Sequence, residues 1–342
     1  MMKVLLPGNL PAGAGQAIYR GYSAAWESLG YEPVPTQGLG DWLKISESLS
    51  NGEYNIMVDD YTLSSCYQMA INKDVDPQVQ KHYMSIYSSA MKIIKESRKC
   101  FVFAQPTRFP SPWGAHPNFV CGYSPGGFLG GHGLTAINYL NQLDNVHLWT
   151  WVEQSSEVKD LYYKEWKKIN YIPLAFDSIS YKKEPSDKNN HDICYVGGWA
   201  NNGFNEKAQI MRNHFKPLMN SKLDCGIFIN KNLTHEQENR VLYNSNIALN
   251  IHDNYQRILG LDTNERTFKA LGLTGILVSD MITAIKNIFP DLPMYKSEDE
   301  MMAIIDKYLS NDVLARETKE YYRNEVIKDH TYTHRVQKMT EL

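Results

Sequence analysis

Short apolar segments alternate with amphipathic helical segments along the chain, and this alternation is the strongest constraint on its fold. The first apolar segment, KVLLP, precedes a glycine-rich turn and a helical pattern in which Ile18, Tyr22 and Ala25 share one face. Strands that alternate with helices build parallel sheets covered on both faces. The sequence therefore predicts an α/β fold of two facing, doubly wound, Rossmann-like domains.

A polar stretch in the middle of the chain separates two such series. The apolar run INYIPLAF leads into DSISYKKEPSDKNNHD, which has the composition expected where few contacts cross a domain boundary. A chain of 342 residues also exceeds the usual size of one domain. We therefore predict an N-terminal domain over residues 1–177 and a C-terminal domain over residues 178–342.

Charge and cysteine content argue against several classes of protein. The net charge of −3 gives no global attraction for nucleic acid or anionic membranes, although a local basic patch stays open. The five cysteines form no C-x-x-C pair, so neither a disulfide framework nor a zinc site is indicated, and no metal site is predicted. The first apolar run stops at Pro7, too early for a signal peptide or a membrane span. These features predict a soluble, cytoplasmic protein.

Two turns in the second series have the features of an anion site. Gly197 and Gly198 directly follow the strand DICYV and allow the backbone to approach a phosphate closely. Asn264, Glu265 and Arg266 stand at the predicted start of the helix ERTFKALGL, where the helix dipole and the guanidinium both favour a diphosphate. Two alternatives stay open, because glycines serve steric roles in such turns and Arg266 can pair with Glu265 in solvent.

Several modest motifs follow one another in the second half of the chain. They are PLAFD, the glycine turn VGG, the segment NERTF with the following Gly272 and Gly275, and the closing segment HTYTHR. Their order resembles that of the group-1 glycosyltransferases of the spore-maturation type. The resemblance implies the GT-B architecture, with a C-terminal helix that packs back on the first domain. It also implies sugar transfer to a hydroxyl acceptor on the first domain, from a UDP- or GDP-linked donor in the second, without a metal or other cofactor.

The resemblance assigns roles to individual residues. Arg266 would neutralise the leaving diphosphate. Asn250 and His252, on one face of the strand IALNIH, would bind the diphosphate or the sugar. An open alternative is that His252 is a structural residue at a strand end, with its hydrogen bonds made within the protein. The first glycine turn, with Gly13 and Gly15, would approach the donor from the first domain.

An acceptor hydroxyl needs a general base if the reaction inverts the anomeric centre. Asp60, at the end of the strand NIMV, and His132, in the loop SPGGFLGGHG, are equal candidates for this catalytic role. Asp59 and Asp60 have an alternative role as helix caps or turn residues, and the glycine-rich loop has one as an ordinary connection.

One position departs from the family pattern. Where the family has a Glu that contacts the ribose or the sugar, this chain has Lys269. Glu265, one helical turn earlier on the same face, is the candidate replacement. Lys269 also raises a second hypothesis, a non-catalytic nucleotide-sugar-binding protein, while a two-domain epimerase or phosphorylase is a third.

The sequence alone does not identify the acceptor of the sugar. A glycan, a small molecule and a hydroxymethylated pyrimidine in DNA are the candidates, and the last would make the chain a phage-type DNA-modifying glycosyltransferase. Its net negative charge argues against DNA but does not exclude it, because a few phosphates need only one local stripe of Lys and Arg.

Overall fold

The computed structural model describes residues 1–8, 13–46, 53–104, 134–186, 190–198 and 207–342. Contacts between residues divide the chain into two compact units. Unit 1 consists of Met1–Pro11, Ser23–Pro173 and Val336–Leu342, and unit 2 consists of Ala12–Tyr22 and Leu174–Arg335. This division differs from a single cut at residue 177, because the start of the first helix belongs to unit 2 and the end of the last helix to unit 1.

Among the described residues, the sheet of unit 1 has six parallel strands in the order β2-β1-β3-β4-β5-β6. The strands are β1 (Lys3–Pro7), β2 (Glu32–Thr36), β3 (Tyr54–Asp59), β4 (Lys99–Phe103), β5 (Val146–Thr150) and β6 (Ile169–Tyr171). The helices that accompany them are α1 (Ala14–Ser28), α2 (Leu39–Ser46), α3 (Asp60–Ile71), α4 (Pro77–Glu96), α5 (Leu134–Leu140) and α6 (Ser156–Tyr162). The central residues of β1, β3 and β4 are buried without alternation, as expected for a parallel sheet covered on both faces.

The sheet of unit 2 contains five parallel strands in the order β11-β10-β9-β7-β8. The strands are β7 (Ile193–Gly197), β8 (Cys225–Ile229), β9 (Ile247–Asn250), β10 (Leu277–Asp280) and β11 (Met294–Tyr295). The helices are α7 (Lys207–Met219), α8 (His235–Asn244), α9 (Asn254–Leu259), α10 (Glu265–Leu273), α11 (Thr283–Ile288), α12 (Glu298–Leu309), α13 (Asp312–Asp329) and α14 (Tyr332–Thr340). The predicted α/β class with two doubly wound sheets is confirmed.

Both sheets reverse their strand order at the first strand. β1 lies between β2 and β3, and β7 lies between β8 and β9. In doubly wound sheets, ligands bind beyond the carboxyl ends of the strands at such a switch point. The topology therefore predicts ligand contacts from the residues that follow β1 and β7.

Helix starts follow the local sequence. Asp76 caps α4 by accepting from the N–H of Gln78 at 2.8 Å, and Pro77 occupies the first helical position, where proline is favoured. Ser297 Oγ caps α12 by accepting from the N–H of Glu300 at 3.2 Å, in keeping with the Ser-x-x-Glu spacing of the sequence.

Three predicted elements differ from the structure or fall outside its described part. The apolar run INYIPLAF forms a strand only over Ile169–Tyr171, and the chain stops pairing as a strand before Pro173, which has no N–H to donate. The segment HTYTHRV enters a separate helix, α14. The segment NFVCGY, whose apolar residues favour a strand, lies outside the described residues.

The C-terminal segment is attached to unit 1 by backbone acceptors. Lys338 Nζ donates to Tyr171 O, and Lys99 Nζ donates to Thr340 O, both at 2.8 Å. These contacts agree with the predicted return of the last helix to the first domain. No helix among the described residues combines the length and apolar character that crossing a membrane requires.

The structure makes Gly272 in α10 a sensitive point of unit 2. A Cβ at this position would lie 2.7 Å from Phe176 Cγ. Phe176 is buried, and its backbone pairs with Thr331, so the ring cannot move away freely. We expect Gly272→Ala to lower the free energy of unfolding by about 1–3 kcal/mol through overpacking.

Chemical denaturation measures this effect, with Gly40→Ala as the matched control. Gly40 also lies in a helix, but a Cβ there would meet nothing within 4 Å. The control should therefore be neutral or slightly stabilising. Equal denaturation midpoints for Gly272→Ala and the wild-type protein would contradict the packing described here.

Candidate functional site

A cavity of about 410 Å³ lies in unit 2 where its first two strands end. Val196, Gly197 and Gly198 line it from the end of β7, and Phe228 and Asn230 from the end of β8. Because β7 is the strand at which the sheet order reverses, the cavity occupies the usual ligand position of a doubly wound sheet. Its volume is typical of a small-molecule site.

Arg266 forms part of the cavity wall from the first turn of α10. Its Nε donates to Val196 O at 2.7 Å, and its Nη1 donates to Asn250 Oδ1 at 2.9 Å. The guanidinium also lies over the Tyr195 ring, 4.7 Å from the ring centroid. Arg266 is only 7% exposed, so the alternative of an arginine held in solvent is excluded. The charge is fixed at the cavity.

Gly197 makes room for this arginine. A Cβ at position 197 would lie 2.2 Å from Arg266 Nη2, which no side chain tolerates without displacement of the guanidinium. A Cβ at Gly198 would lie 2.9 Å from Asn230 Oδ1. Both glycines line the cavity, and at position 197 the close approach of a side chain explains the glycine.

Two asparagines hold the arginine in place. Asn250, fully buried at the end of β9, accepts on Oδ1 from Arg266 Nη1 and from Asn264 Nδ2, the latter at 3.0 Å. Its own Nδ2 donates to Thr267 Oγ1 at 2.9 Å. Asn264, the N-cap residue of α10, lines the cavity, whereas Asn250 does not. Asn250 therefore positions Arg266 without forming part of the cavity wall.

His252 is not part of the cavity wall either. It is fully buried; its Nδ1 donates to Asp280 Oδ1 at 2.6 Å, and its Nε2 lies 2.9 Å from Thr263 Oγ1. Burial raises the pKa of Asp280, but His252 and Arg257 outweigh this effect and hold that pKa below its usual value. The position of His252 does not support a donor-binding role and instead matches the alternative of a satisfied histidine at a strand end.

Lys207 is a second cation in the cavity wall, and the sequence analysis did not identify it. Its Nζ lies 3.0 Å from Asp253 Oδ1 and donates to Ile251 O. Lys207 is 5% exposed, and burial lowers its pKa, against the opposing effect of Asp253. Lys207 occupies an ordinary helical pattern, NEKAQIMRNHF, so only the folded chain reveals its place.

Lys269 joins two carboxylates in the same wall. Its Nζ donates to Glu238 Oε1 at 2.6 Å and to Glu265 Oε1 at 3.3 Å. The second oxygen of Glu238, Oε2, accepts from the hydroxyl of Tyr181 at 2.6 Å. The lysine at position 269 is thus accompanied by the expected Glu265 and by a carboxylate from α8, Glu238, that the sequence analysis missed.

The cavity wall carries more positive than negative side chains. Among the described residues, five cations line it: Arg20, Lys207, Lys231, Arg266 and Lys269. Three carboxylates line it: Glu238, Asp253 and Glu265. This excess of positive charge favours an anionic ligand, and the N-terminus of α10 adds to it.

Three buried polar atoms on residues of the cavity wall have no hydrogen-bond partner within the described structure. They are Arg20 Nη2, His235 Nδ1 and Asn264 Oδ1. Buried polar atoms are normally satisfied, so these three are unusual features of the cavity wall.

The start of α1 contributes to the cavity as part of unit 2. Gly13 lines it with φ +149°, a conformation that other residues rarely adopt, whereas Gly15 is exposed in the first turn of α1 and is not part of the wall. Arg20 also lines it, with Nε 3.4 Å from Asp177 Oδ2. Of the two predicted glycines, the structure brings only Gly13 to the site.

The structure does not describe the side chains of the two candidate general bases, Asp60 and His132. Asp60 is the first residue of α3, but its side-chain position is not described, and His132 lies outside the described residues. Asp59 accepts from the N–H of Thr62 at 2.6 Å and caps α3, which is the alternative role considered for it. Both catalytic assignments stay predictions.

A metal centre is not evident in the part of the chain that the structure describes. No three His, Cys, Asp or Glu side chains are grouped there in a way that suits a metal ion. The positive groups present at the cavity are side-chain cations and the start of α10.

Comparisons with known proteins agree with this architecture. Residues 196–341 match the model of a glycosyl transferase-like family. No curated protein matches the chain. An alpha-glucosyltransferase (AGT) in complex with UDP is similar over 100% of this chain and 99% of its own, with a TM-score of 0.62 and 11% identity.

Two further solved structures share the fold. One is the same type of alpha-glucosyltransferase with UDP and a 13-mer DNA, at a TM-score of 0.59, 11% identity and coverage of 100% and 99%. The other is Anabaena HepE with UDP and glucose, at a TM-score of 0.54, 11% identity and coverage of 100% and 99%. At this identity the likeness concerns the fold. Residues 196–341 of the chain thus match a glycosyl transferase-like family, and the whole chain shares the two-domain GT-B fold of these solved structures.

Proposed function

We propose that the chain transfers a sugar from a UDP-sugar to a hydroxyl acceptor and needs no metal ion for this reaction. The observation that carries the proposal is the cavity at the end of β7, in which Arg266 and Lys207 are held beside the N-terminus of α10. Two fixed cations and a helix N-terminus suit a diphosphate. The proteins with similar folds that were solved with UDP support uridine as the base.

In this mechanism, the bond between the anomeric carbon and the diphosphate oxygen breaks as the acceptor oxygen forms its bond to the sugar. Negative charge then grows on the diphosphate. Arg266 and Lys207 are in position before the reaction, because Val196, Asn250 and Asp253 hold them, so they stabilise this charge without reorganising. Asp60 and His132 stay the candidates for accepting the acceptor's proton if the reaction inverts the anomeric centre.

UDP is expected to raise the melting temperature of the purified protein. A ligand that binds only the folded chain at 100 times its Kd stabilises it by about 2.7 kcal/mol. The measurement is a thermal-shift titration with UDP, GDP and ADP, followed by UDP release from UDP-glucose. No shift with any of the three at millimolar concentration would remove the proposal's support. Tight UDP binding without UDP release from UDP-glucose in the presence of acceptors would instead favour the non-catalytic nucleotide-sugar-binding protein.

Replacement of Arg266 by lysine should lower kcat by about 10²-fold. The substitution keeps the charge but removes the fork that bonds Val196 O and Asn250 Oδ1, so the transition-state charge loses a fixed partner. UDP release from UDP-glucose measures the effect. Arg212→Lys is the control, because Arg212 is exposed on α7 and does not line the cavity. Unchanged kcat in Arg266→Lys would argue against the assigned role.

UDP affinity should fall at alkaline pH because of Lys207. Burial lowers the pKa of Lys207 from its usual value, Arg266 shifts it in the same direction, and Asp253 and Asp280 oppose this. Only the protonated amine attracts the diphosphate, so affinity is lost as pH rises through the lowered pKa, below about 10.5.

Calorimetric titration of UDP between pH 7.5 and 10 tests this expectation. Lys207→Met should bind UDP about tenfold more weakly at pH 7.5 and should lack the alkaline loss. Lys216→Met is the control, because Lys216 is exposed on the same helix and does not line the cavity. An alkaline loss that persists in Lys207→Met would assign the titration to another group.

DNA that contains hydroxymethylated pyrimidines is a candidate acceptor, as an alternative to a glycan or a small molecule. The alpha-glucosyltransferase with a similar fold was solved with a 13-mer DNA, and this favours testing duplexes with hydroxymethylated pyrimidines. Transfer from UDP-glucose to such a duplex, but not to an unmodified one, would establish the DNA-modifying alternative. Transfer to a glycan or small molecule instead would exclude DNA as the principal acceptor. A cytoplasmic location stays a prediction.

A further inference from the structure

Glu238 is the most constrained carboxylate of the cavity. It lies in the first turn of α8, and its side chain is 16% exposed. Oε1 accepts from Lys269 Nζ and Oε2 accepts from the Tyr181 hydroxyl, both at 2.6 Å. Burial raises its pKa, but Lys269 and Tyr181 outweigh burial and lower that pKa below its usual value. The group is therefore an ionised carboxylate with a fixed direction.

An ionised carboxylate in a cavity accepts hydrogen bonds and donates none. Each of its oxygens has about two acceptor sites, and each accepts one bond from the protein, so acceptor capacity remains on both. Glu265 stands beside it on the other side of Lys269 Nζ. Two neighbouring carboxylates suit hydrogen-bond donors of a ligand, and of the groups on a nucleotide-sugar its hydroxyls fit there whereas the diphosphate does not.

Lys269 makes this arrangement compatible with a diphosphate in the same cavity. Two carboxylates in the wall would repel an anionic ligand if they had no counter-charge. Lys269, which is 6% exposed, contacts both of them and offsets their charge. A buried ion pair gives little net stability compared with apolar residues, so stability alone does not explain this arrangement in a cavity wall.

We propose that Glu238 recognises vicinal hydroxyls of the bound nucleotide-sugar and that Lys269 is a positioning residue that holds Glu238 in place. The inference rests on the proposed use of a UDP-sugar. The hydroxyls have two sources, the ribose of the nucleotide and the transferred sugar. Both present adjacent hydroxyl donors, and the experiment below distinguishes them.

The test compares affinities for UDP, 2′-deoxy-UDP, 3′-deoxy-UDP and UDP-glucose, measured by calorimetry on the full chain. In the wild-type protein, loss of a recognised hydroxyl should cost about tenfold in Kd, the size of a hydrogen bond to a charged group. In Glu238→Gln this preference should fall towards one. Loss of the preference for UDP over a deoxy analogue identifies the ribose, and loss of the preference for UDP-glucose over UDP identifies the sugar.

A purely structural role of Glu238 gives a different result. All four ligands would then weaken by the same factor and both preferences would persist, which would overturn the inference. Glu236→Gln is the matched control, because Glu236 lies exposed in the same turn of α8, loses the same charge and does not line the cavity. It should leave every affinity unchanged.

Two further variants keep the test decisive. If Glu238→Gln does not fold, Glu238→Asp retains the charge for Lys269 and withdraws the carboxylate by one methylene, and it should lose the same preference. An unchanged preference in Glu238→Asp would overturn the inference. Lys269→Met should reduce the preference and also weaken UDP itself, since the two carboxylates lose their counter-charge. Failure of the wild-type protein to bind UDP would refute the proposed function, and this inference with it.

Discussion

The hydrogen bonds of the Arg266 guanidinium are the interaction on which the candidate site depends. They connect the carboxyl end of β7, through Val196 O, with the end of β9, through Asn250 Oδ1, and with the first turn of α10. These are the elements that meet at the switch point of the second sheet. The same bonds that fix the guanidinium therefore also fix the geometry of the cavity wall.

Two further buried cations of the cavity wall, Lys207 and Lys269, are also held by carboxylates. Lys207 is tied to Asp253 after β9, and Lys269 is tied to carboxylates from α8 and α10. Each cation that lies deep in the wall thus has a protein partner and retains a position at the cavity. Such an arrangement suits a ligand that combines strong negative charge with hydroxyl groups, and a nucleotide-sugar has both.

Much of this molecule could be predicted from its sequence, because parallel sheets impose long apolar runs and helix starts carry local signals. The start of α10 and the roles of Asp76 and Ser297 as caps followed from such signals. Within the site, Gly197, Asn264 and Arg266 could be recognised because they lie at element ends. Lys207 and Glu238 could not, since each lies in the first turn of a helix and is one of several polar residues there, with no local sign of what it contacts. A strand end offers the same pattern for a ligand contact and for a buried pair, and at His252 the structure shows a pair with Asp280.

The close approach of Arg266 to Gly197 has a consequence for protein engineering and for evolution. A methyl group at position 197 would occupy the space of one guanidinium nitrogen. A side chain at position 197 therefore requires a change at position 266, and a library that varies position 197 alone would displace the guanidinium in most of its members.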